Sequence, residues 1–237
     1  PLVMRRVKDP SALKAECDQV GVLSPAVSLT PPKQGGWLRK RIGQCGGWHV
    51  EAWHAKALHT TALNTQARHG QTQPAPLSTE SANPNAPVYW QRRCAGVAVG
   101  LLFLAHKHGV TLIGVHELMH RPNNFVYAGA RRSPEPALWQ AAEAVLQRLV
   151  PQCGLRGLNS IDALWLDASL QVLEVNPRLS ASMRLYHALP LISAHLACFE
   201  GAHAGRFASA PTSLMARMSS LAEQRLELAP CAMHYIV

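Results

Sequence analysis

The residue pattern predicts an α+β fold with mostly antiparallel strand neighbours, and three observations carry that prediction. Residues 158–166 and 170–175 are two apolar runs separated by the turn signal Asp167-Ala168-Ser169, which reads as a β-hairpin. Residues 136–150 place Leu138, Ala142, Val145, Leu146 and Leu149 at helical spacing. Upstream, short strand-like segments follow one another across turns, so helices and antiparallel strands are mixed along the chain.

Element by element, residues 9–20 read as a helix, with Asp9 as N-cap, Pro10 in the first turn and Gly21 as stop. Residues 22–29 are extended and end at Pro31-Pro32. A short strand at 37–41 leads through Gly43-Gln44-Cys45-Gly46-Gly47 into a second strand at 48–53. Residues 71–87 hold Gln, Pro, Ser, Asn and Thr with almost no large apolar side chain, the composition of a mobile loop. Strands are expected at 88–93, 97–105 and 111–118, with turns at Ala95-Gly96 and His108-Gly109. After the helix and the hairpin, 185–198 reads as a helix interrupted at Pro190, and 232–237 as a last strand.

Composition removes several classes of function. At 237 residues and 48% hydrophobic, with mean hydropathy close to zero, the chain reads as an ordinary soluble globular protein with a sound core. The first residues, Pro1-Leu2-Val3-Met4-Arg5-Arg6, lack the apolar stretch of a signal peptide, and no apolar run approaches bilayer length. Six cysteines without a C-x-x-C pair argue against a zinc site or a disulfide framework. Free buried thiols in a reducing, cytoplasmic setting are expected. The net charge of +9 comes in short pairs (Arg5-Arg6, Arg92-Arg93, Arg131-Arg132) with little aromatic interleaving. A basic cleft for an anionic substrate such as a nucleotide explains it as well as nucleic acid does. His49, His54 and His59 recur every five residues, a period of neither helix nor strand, and read as surface residues. No G-x-S-x-G is present, so serine hydrolase chemistry has no support.

The hairpin carries the most chemistry. It holds Asp162 and Glu174 on facing strands, with the Asn176 amide two residues on and pointing the same way. Two carboxylates and an amide oxygen suit a hard divalent ion such as Mg²⁺, and Arg178 adds a fork for a phosphate or carboxylate. The plain alternative stands beside this: a strand acid usually faces solvent, and Asn176-Pro177 is usually only a turn. A second element runs from Trp37 to Trp48. Lys40 ends a strand, and Gly43, Gly46 and Gly47 let backbone N–H groups approach phosphate. It is no P-loop, and by itself such a turn is usually just a hairpin. A third, residues 88–96, is an extended segment able to offer backbone amides to an adenine edge; on its residues alone a plain core strand is the better reading.

Taken in order, these three elements resemble the ATP-grasp superfamily. In that family a lysine and a glycine-rich flap precede a hinge strand of the type V-x-Q-[ER]-x-x-x-G. A strand with an acid, a turn and a final E-x-N-x-R follow. Lys40 with Gly43, Gly46 and Gly47 matches the first element, 91–96 the second, and Asp162 with Glu174, Asn176 and Arg178 the third. The resemblance implies two α+β subdomains sandwiching ATP: a connecting segment (1–32), a small flap subdomain (33–93, mobile loop at 70–87) and a large subdomain with an antiparallel sheet (94–237). It implies that Lys40, Gly43, Gly46, Gly47, Gln91, Arg92, Arg93 and Cys94 bind ATP. Asp162, Glu174 and Asn176 would hold Mg²⁺ or Mn²⁺, and Lys40 and Arg178 would act on the reacting phosphate. The implied activity is ATP-dependent joining of a carboxylate to an amine through an acyl phosphate. Carboxylation and an inactive nucleotide-binding module are the alternatives. Residues 154–162 are similar in phrasing to ligases near the tyramine–glutamate type of methanofuran-type cofactor synthesis. The hinge, Gln91-Arg92-Arg93, has no acid where family members carry one for the ribose. The N-terminal α/β domain of such enzymes is not expected in this chain. The implied partners are therefore small-molecule substrates, with a second copy or a separate N-terminal domain as protein partner. Lys8 reads as a surface lysine more readily than as a second phosphate ligand. Arg131-Arg132 and Glu117 stand evenly between solvent and pocket.

Overall fold

A computed structural model of the chain describes residues 2–54 and 87–199 and the backbone of 232–234. The loop expected at 70–87 lies outside the described residues except for Pro87. Helix α2 (Pro10–Gln19) starts as its sequence dictates: the Asp9 carboxylate accepts from the Ser11 and Ala12 amides at 2.9 and 2.8 Å, satisfying donors left free at a helix start. A short helix not anticipated from the pattern, α1 (Leu2–Lys8), precedes it. Only Val7 of α1 is buried, so it has no apolar period to read. Arg6 pairs with Glu16 and ties α1 to α2.

The strands β1 (Val27–Ser28), β2 (Trp37–Arg41), β3 (Glu51–Trp53) and β4 (Val88–Arg92) form a four-stranded antiparallel sheet in the order β1-β4-β2-β3. The expected strand at 48–53 is shortened to β3, because Gly46 to His49 form a turn. Trp53 and Trp90 meet edge to face with ring centroids 5.5 Å apart, which anchors this sheet.

The second sheet contains β5 (Val97–His106), β6 (Gly109–His120), β7 (Tyr127–Arg132), β8 (Gly157–Leu166), β9 (Ser169–Asn176) and β10 (Ala232–His234), ordered β10-β7-β6-β5-β8-β9. All its pairings are antiparallel. The α+β expectation therefore holds. Its β8–β9 turn places Asp167 and Ala168 at φ 49° and 58°, the left-handed pair that matches the twist of a two-residue hairpin.

One face of this sheet is covered by α2 and α3 (Pro136–Cys153). Leu101, Phe103, Ile161 and Val175 meet Leu138, Leu146 and Leu149 there, all essentially inaccessible. On the other face Leu102, Leu104, Ile113 and Leu158 lie under Leu185, Tyr186 and Leu191. Those last residues belong to a 3₁₀ helix (Ala181–Tyr186) and α4 (Leu191–Ala197), into which the helix expected at 185–198 divides before Pro190. The remainder of that face opens toward the small sheet. Of the described cysteines, Cys17 and Cys153 are buried and free as expected, whereas Cys45 is exposed in the glycine-rich turn. No helix among the described residues is long and apolar enough to cross a membrane.

Candidate active site

Register sets the centre of the site. Asp162 pairs directly with Glu174, and Ser160 with Asn176, so all four side chains leave one face of the β8–β9 hairpin. A bulge after Asp162 leaves Leu173 unpaired in the ladder and turns its carbonyl to other use. Asn176 Nδ2 donates to Asp162 Oδ2 at 3.3 Å. From the end of α1, Lys8 Nζ donates to Glu174 Oε1 at 2.5 Å and to Asn176 Oδ1 at 2.7 Å. Lys8, read from the sequence as a surface residue, is thus a central one. Burial, reinforced by Glu174, pushes the Asp162 carboxyl up to about 7, against the pull of Lys8, Lys40 and Arg178.

These observations test the fit of a metal. The Lys8 ammonium is a stand-in cation, and the oxygens of Glu174 and Asn176 converge on it. No group of three or more His, Cys, Asp and Glu that could hold a metal exists among the described residues. The donors available are two carboxylates and an amide, a set for a hard ion that keeps water or phosphate in its remaining positions. They fit Mg²⁺ or Mn²⁺.

The opposite wall is the small sheet. Lys40 on β2 is buried, with its Nζ donating to Gln91 Oε1 at 2.7 Å on β4. Gln91 Nε2 in turn donates to the Leu173 carbonyl at 3.2 Å, so the β9 bulge links the two sheets. Burial lowers the Lys40 ammonium below its ordinary range, while Glu174 and Asp162 oppose that shift. The glycine-rich turn reaches the β6–β7 connection: Tyr127 N donates to Gly46 O at 3.1 Å, and Arg121 lies over the Trp48 ring at 5.2 Å. Gly47 (φ 81°) passes so close to the Phe125 carbonyl that an added Cβ would lie 1.7 Å from its oxygen. His49, read as a surface residue, is half-buried and lines the cleft behind this turn, with Nδ1 unpartnered and its pKa lowered by burial; His54 is exposed as expected. Gly43 lines a smaller cavity beside Lys8 and Glu174.

Arg92, Arg93 and Cys94 also line the cleft. Their backbone is partly committed: Arg92 N donates to Ala26 O and Arg93 N to Gly36 O. The Arg92 guanidinium stacks on Trp37 at 5.8 Å and donates to Gly35 O. Arg178 sits exposed at the rim and donates to its neighbour's Leu179 carbonyl at 3.1 Å. The space between the sheets measures about 780 Å³, within the range of small-molecule sites.

Residues 65–182 match the family model of the ATP-grasp domain. The architecture matches solved structures of the same kind. An ATP-grasp superfamily protein from Archaeoglobus fulgidus aligns at 19% identity with a TM-score of 0.53, covering 77% of this chain and 50% of that one. The fold is ATP-grasp. Carboxyaminoimidazole ribonucleotide synthase from Aspergillus clavatus, solved with ATP, shares it at 13% identity and a TM-score of 0.62 (83% and 52% of the two chains). L-amino acid ligase from Bacillus licheniformis does so at 11% identity and 0.58 (82% and 48%). The chain spans about half the length of these three proteins. No curated protein matches it.

Within this ATP-grasp cleft the structure adds a buried group that the sequence reading passed over. Gly100 lies between Asp162 and His116 in one row across β8, β5 and β6. A Cβ on Gly100 would sit 2.2 Å from His116 Nε2, and one on Gly114 would sit 2.1 Å from the Tyr186 ring. Both glycines thus clear room for a side chain on the cleft face, as glycines inside strands often do. Tyr186 OH donates to the Val115 carbonyl at 3.1 Å and meets His116 Nδ1 at 3.3 Å. Since the phenol proton goes to the carbonyl, Nδ1 is the protonated nitrogen. Burial pushes the ring down to about 3, so it stays neutral. Glu117, by contrast, pairs with Arg131 at 2.6 Å, with Arg131 exposed and Glu117 half-buried.

The raised Asp162 pKa makes a stability prediction. An unfolded aspartate titrates near ~3.9. The folded form keeps its proton to about pH 7, so the native state binds more protons between roughly pH 4 and 7 and loses stability as pH rises through that window. Asp162→Asn has no such titration. In melting experiments without metal, the wild type is expected to fall relative to Asp162→Asn from pH 4 to 8. Parallel pH profiles would contradict this.

Proposed function

We propose that this chain is the ATP-binding part of an ATP- and Mg²⁺-dependent ligase that joins a carboxylate to an amine. The observation that carries this reading is the cluster of Asp162, Glu174 and Asn176, with Glu174 and Asn176 converging on one cation and Asp162 held against the Asn176 amide, facing Lys40 and the glycine-rich turn across a cleft of about 780 Å³. Bound Mg·ATP supplies the phosphoryl group that activates the carboxylate as an acyl phosphate for displacement by the amine.

The chain's own part is positioning and charge. Asp162, Glu174 and Asn176 hold the cation, while Lys40 and the amides of Gly43, Gly46 and Gly47 take phosphate oxygens. The segment from Gln91 to Cys94 receives the base. Arg178 at the rim steadies the reacting phosphate, and the flap resting on Phe125 keeps water out. Such positioning and neutralisation is what phosphoryl transfer asks of a protein.

The test is ADP release from Mg·ATP across a panel of carboxylates and amines, with glutamate and tyramine as the first pair. Release that needs both substrates is expected. Release with bicarbonate and no second carboxylate would move the reading to carboxylation, and no release with any pair would leave a nucleotide-binding module.

A further inference from the structure

Lys8 touches two of the three oxygen donors assigned above to the metal, at 2.5 and 2.7 Å. Its side chain and that of Glu174 are only 22% and 24% exposed, so water competes poorly for the pair. A Mg²⁺ ion sits at about 2.0–2.1 Å from its ligands. The ammonium fills the point between Glu174 Oε1 and Asn176 Oδ1, so a metal ion bound to both of those oxygens at that point must displace it.

We propose that Lys8 is a displaceable occupant of the metal position: it holds Glu174 and Asn176 until a polyphosphate arrives, then passes to the phosphate as the metal ion enters. This rests on the nucleotide and metal reading above and adds to it a coupling, that cation and nucleotide load together and a free cation loads poorly. Charge gives the same direction. Without Lys8, the cations still acting on Asp162 are Lys40 and Arg178, and the site becomes more attractive to a lone divalent ion. Geometry supplies the path. A cavity of about 30 Å³ joins Lys8 and Glu174 to Gly43 and Gln44 of the flap, so the ammonium is already beside the proposed phosphate cradle. Lys8 is a positioning residue: it keeps the oxygens of Glu174 and Asn176 converged.

The test is binding of Mn²⁺, followed by electron paramagnetic resonance, with and without the β,γ-imido analogue of ATP. Lys8→Gln is expected to bind Mn²⁺ alone at least ~10-fold tighter than the wild type and to bind the analogue at least ~10-fold more weakly. Lys8→Arg, which keeps the charge, is expected to bind Mn²⁺ alone as poorly as the wild type. Should the glutamine variant fold badly, Lys8→Met keeps the apolar stem and answers the same question. A merely structural lysine would weaken both ligands together. Mn²⁺ binding in Lys8→Gln or Lys8→Met no tighter than in the wild type would overturn the exchange and leave the metal site standing. Absence of protein-bound Mn²⁺ in every variant, with and without the analogue, would remove the metal site and the exchange with it.

Discussion

A Glu174→Ala protein is expected to fold and to lose ATP-dependent turnover by about 10³-fold or more. A bound metal contributes several kcal/mol to stabilising transferring phosphoryl charge, and each ~1.4 kcal/mol is a factor of ten in rate. Glu174 is the donor that both faces Asp162 across the hairpin and meets the stand-in cation, so its loss leaves the set with one carboxylate. The fold should survive. The substitution removes a repulsion on Asp162 along with the Lys8 pair, and Lys8 retains Asn176. Steady-state kinetics with the wild-type substrates, beside a melting curve without ligand, reads both effects. Turnover within a factor of ten of wild type would contradict the assignment of Glu174.

The second large effect is expected at Gly47. Alanine there meets two costs at once: a left-handed φ of 81°, worth roughly 1–2 kcal/mol for a residue with a Cβ, and a contact of 1.7 Å with the Phe125 carbonyl that backbone atoms cannot relieve locally. The flap must lift off the β6–β7 connection, breaking the Tyr127–Gly46 hydrogen bond. Gly47→Ala should therefore raise the KM for ATP at least ~10-fold, with a smaller loss of stability. Gly43→Ala shares the left-handed conformation but would meet no neighbour within 4 Å, and serves as the control for backbone strain alone. Equal effects at the two positions would show that closure on Phe125 does not matter.

The parts of this molecule that were legible in its sequence are those where one local pattern decides the outcome. The β8–β9 hairpin is readable because two apolar runs flank a short turn; the register of that turn alone pairs Asp162 with Leu173, and the bulge at Leu173, which no local pattern announces, brings Glu174 opposite Asp162. Asp9-Pro10 announced α2 for the same reason. What escaped was set by contacts distant in sequence. Lys8 lies 166 residues from Glu174, and nothing around it separates it from a solvated lysine. His116 sits in Gly114-Val115-His116-Glu117-Leu118, where alternation alone does not say which of His116 and Glu117 faces the cleft. The signal was present in Gly100 and Gly114, two glycines inside apolar strands with no turn to explain them. Strand β7 (Tyr-Ala-Gly-Ala-Arg-Arg) lacks polar–apolar alternation, and its pairing with β6 and β10 makes it a strand. The five-residue spacing of His49 and His54 says nothing about exposure, because β3 begins only at Glu51 and His49 lies in the turn before it, half-buried against the cleft.

The central claim is that the cleft between the two sheets holds Mg·ATP on Asp162, Glu174 and Asn176. Melting temperature with and without Mg·ATP tests it most directly. At a ligand concentration ~100 times Kd the native state gains about 2.7 kcal/mol, and for a chain of this size each kcal/mol raises Tm by roughly 2–4 °C. The unaltered protein should therefore melt about 5–10 °C higher with Mg·ATP, and Glu174→Ala should show little of that rise. An unaltered protein whose Tm does not respond to Mg·ATP, or a Glu174→Ala protein that responds equally, would contradict the account.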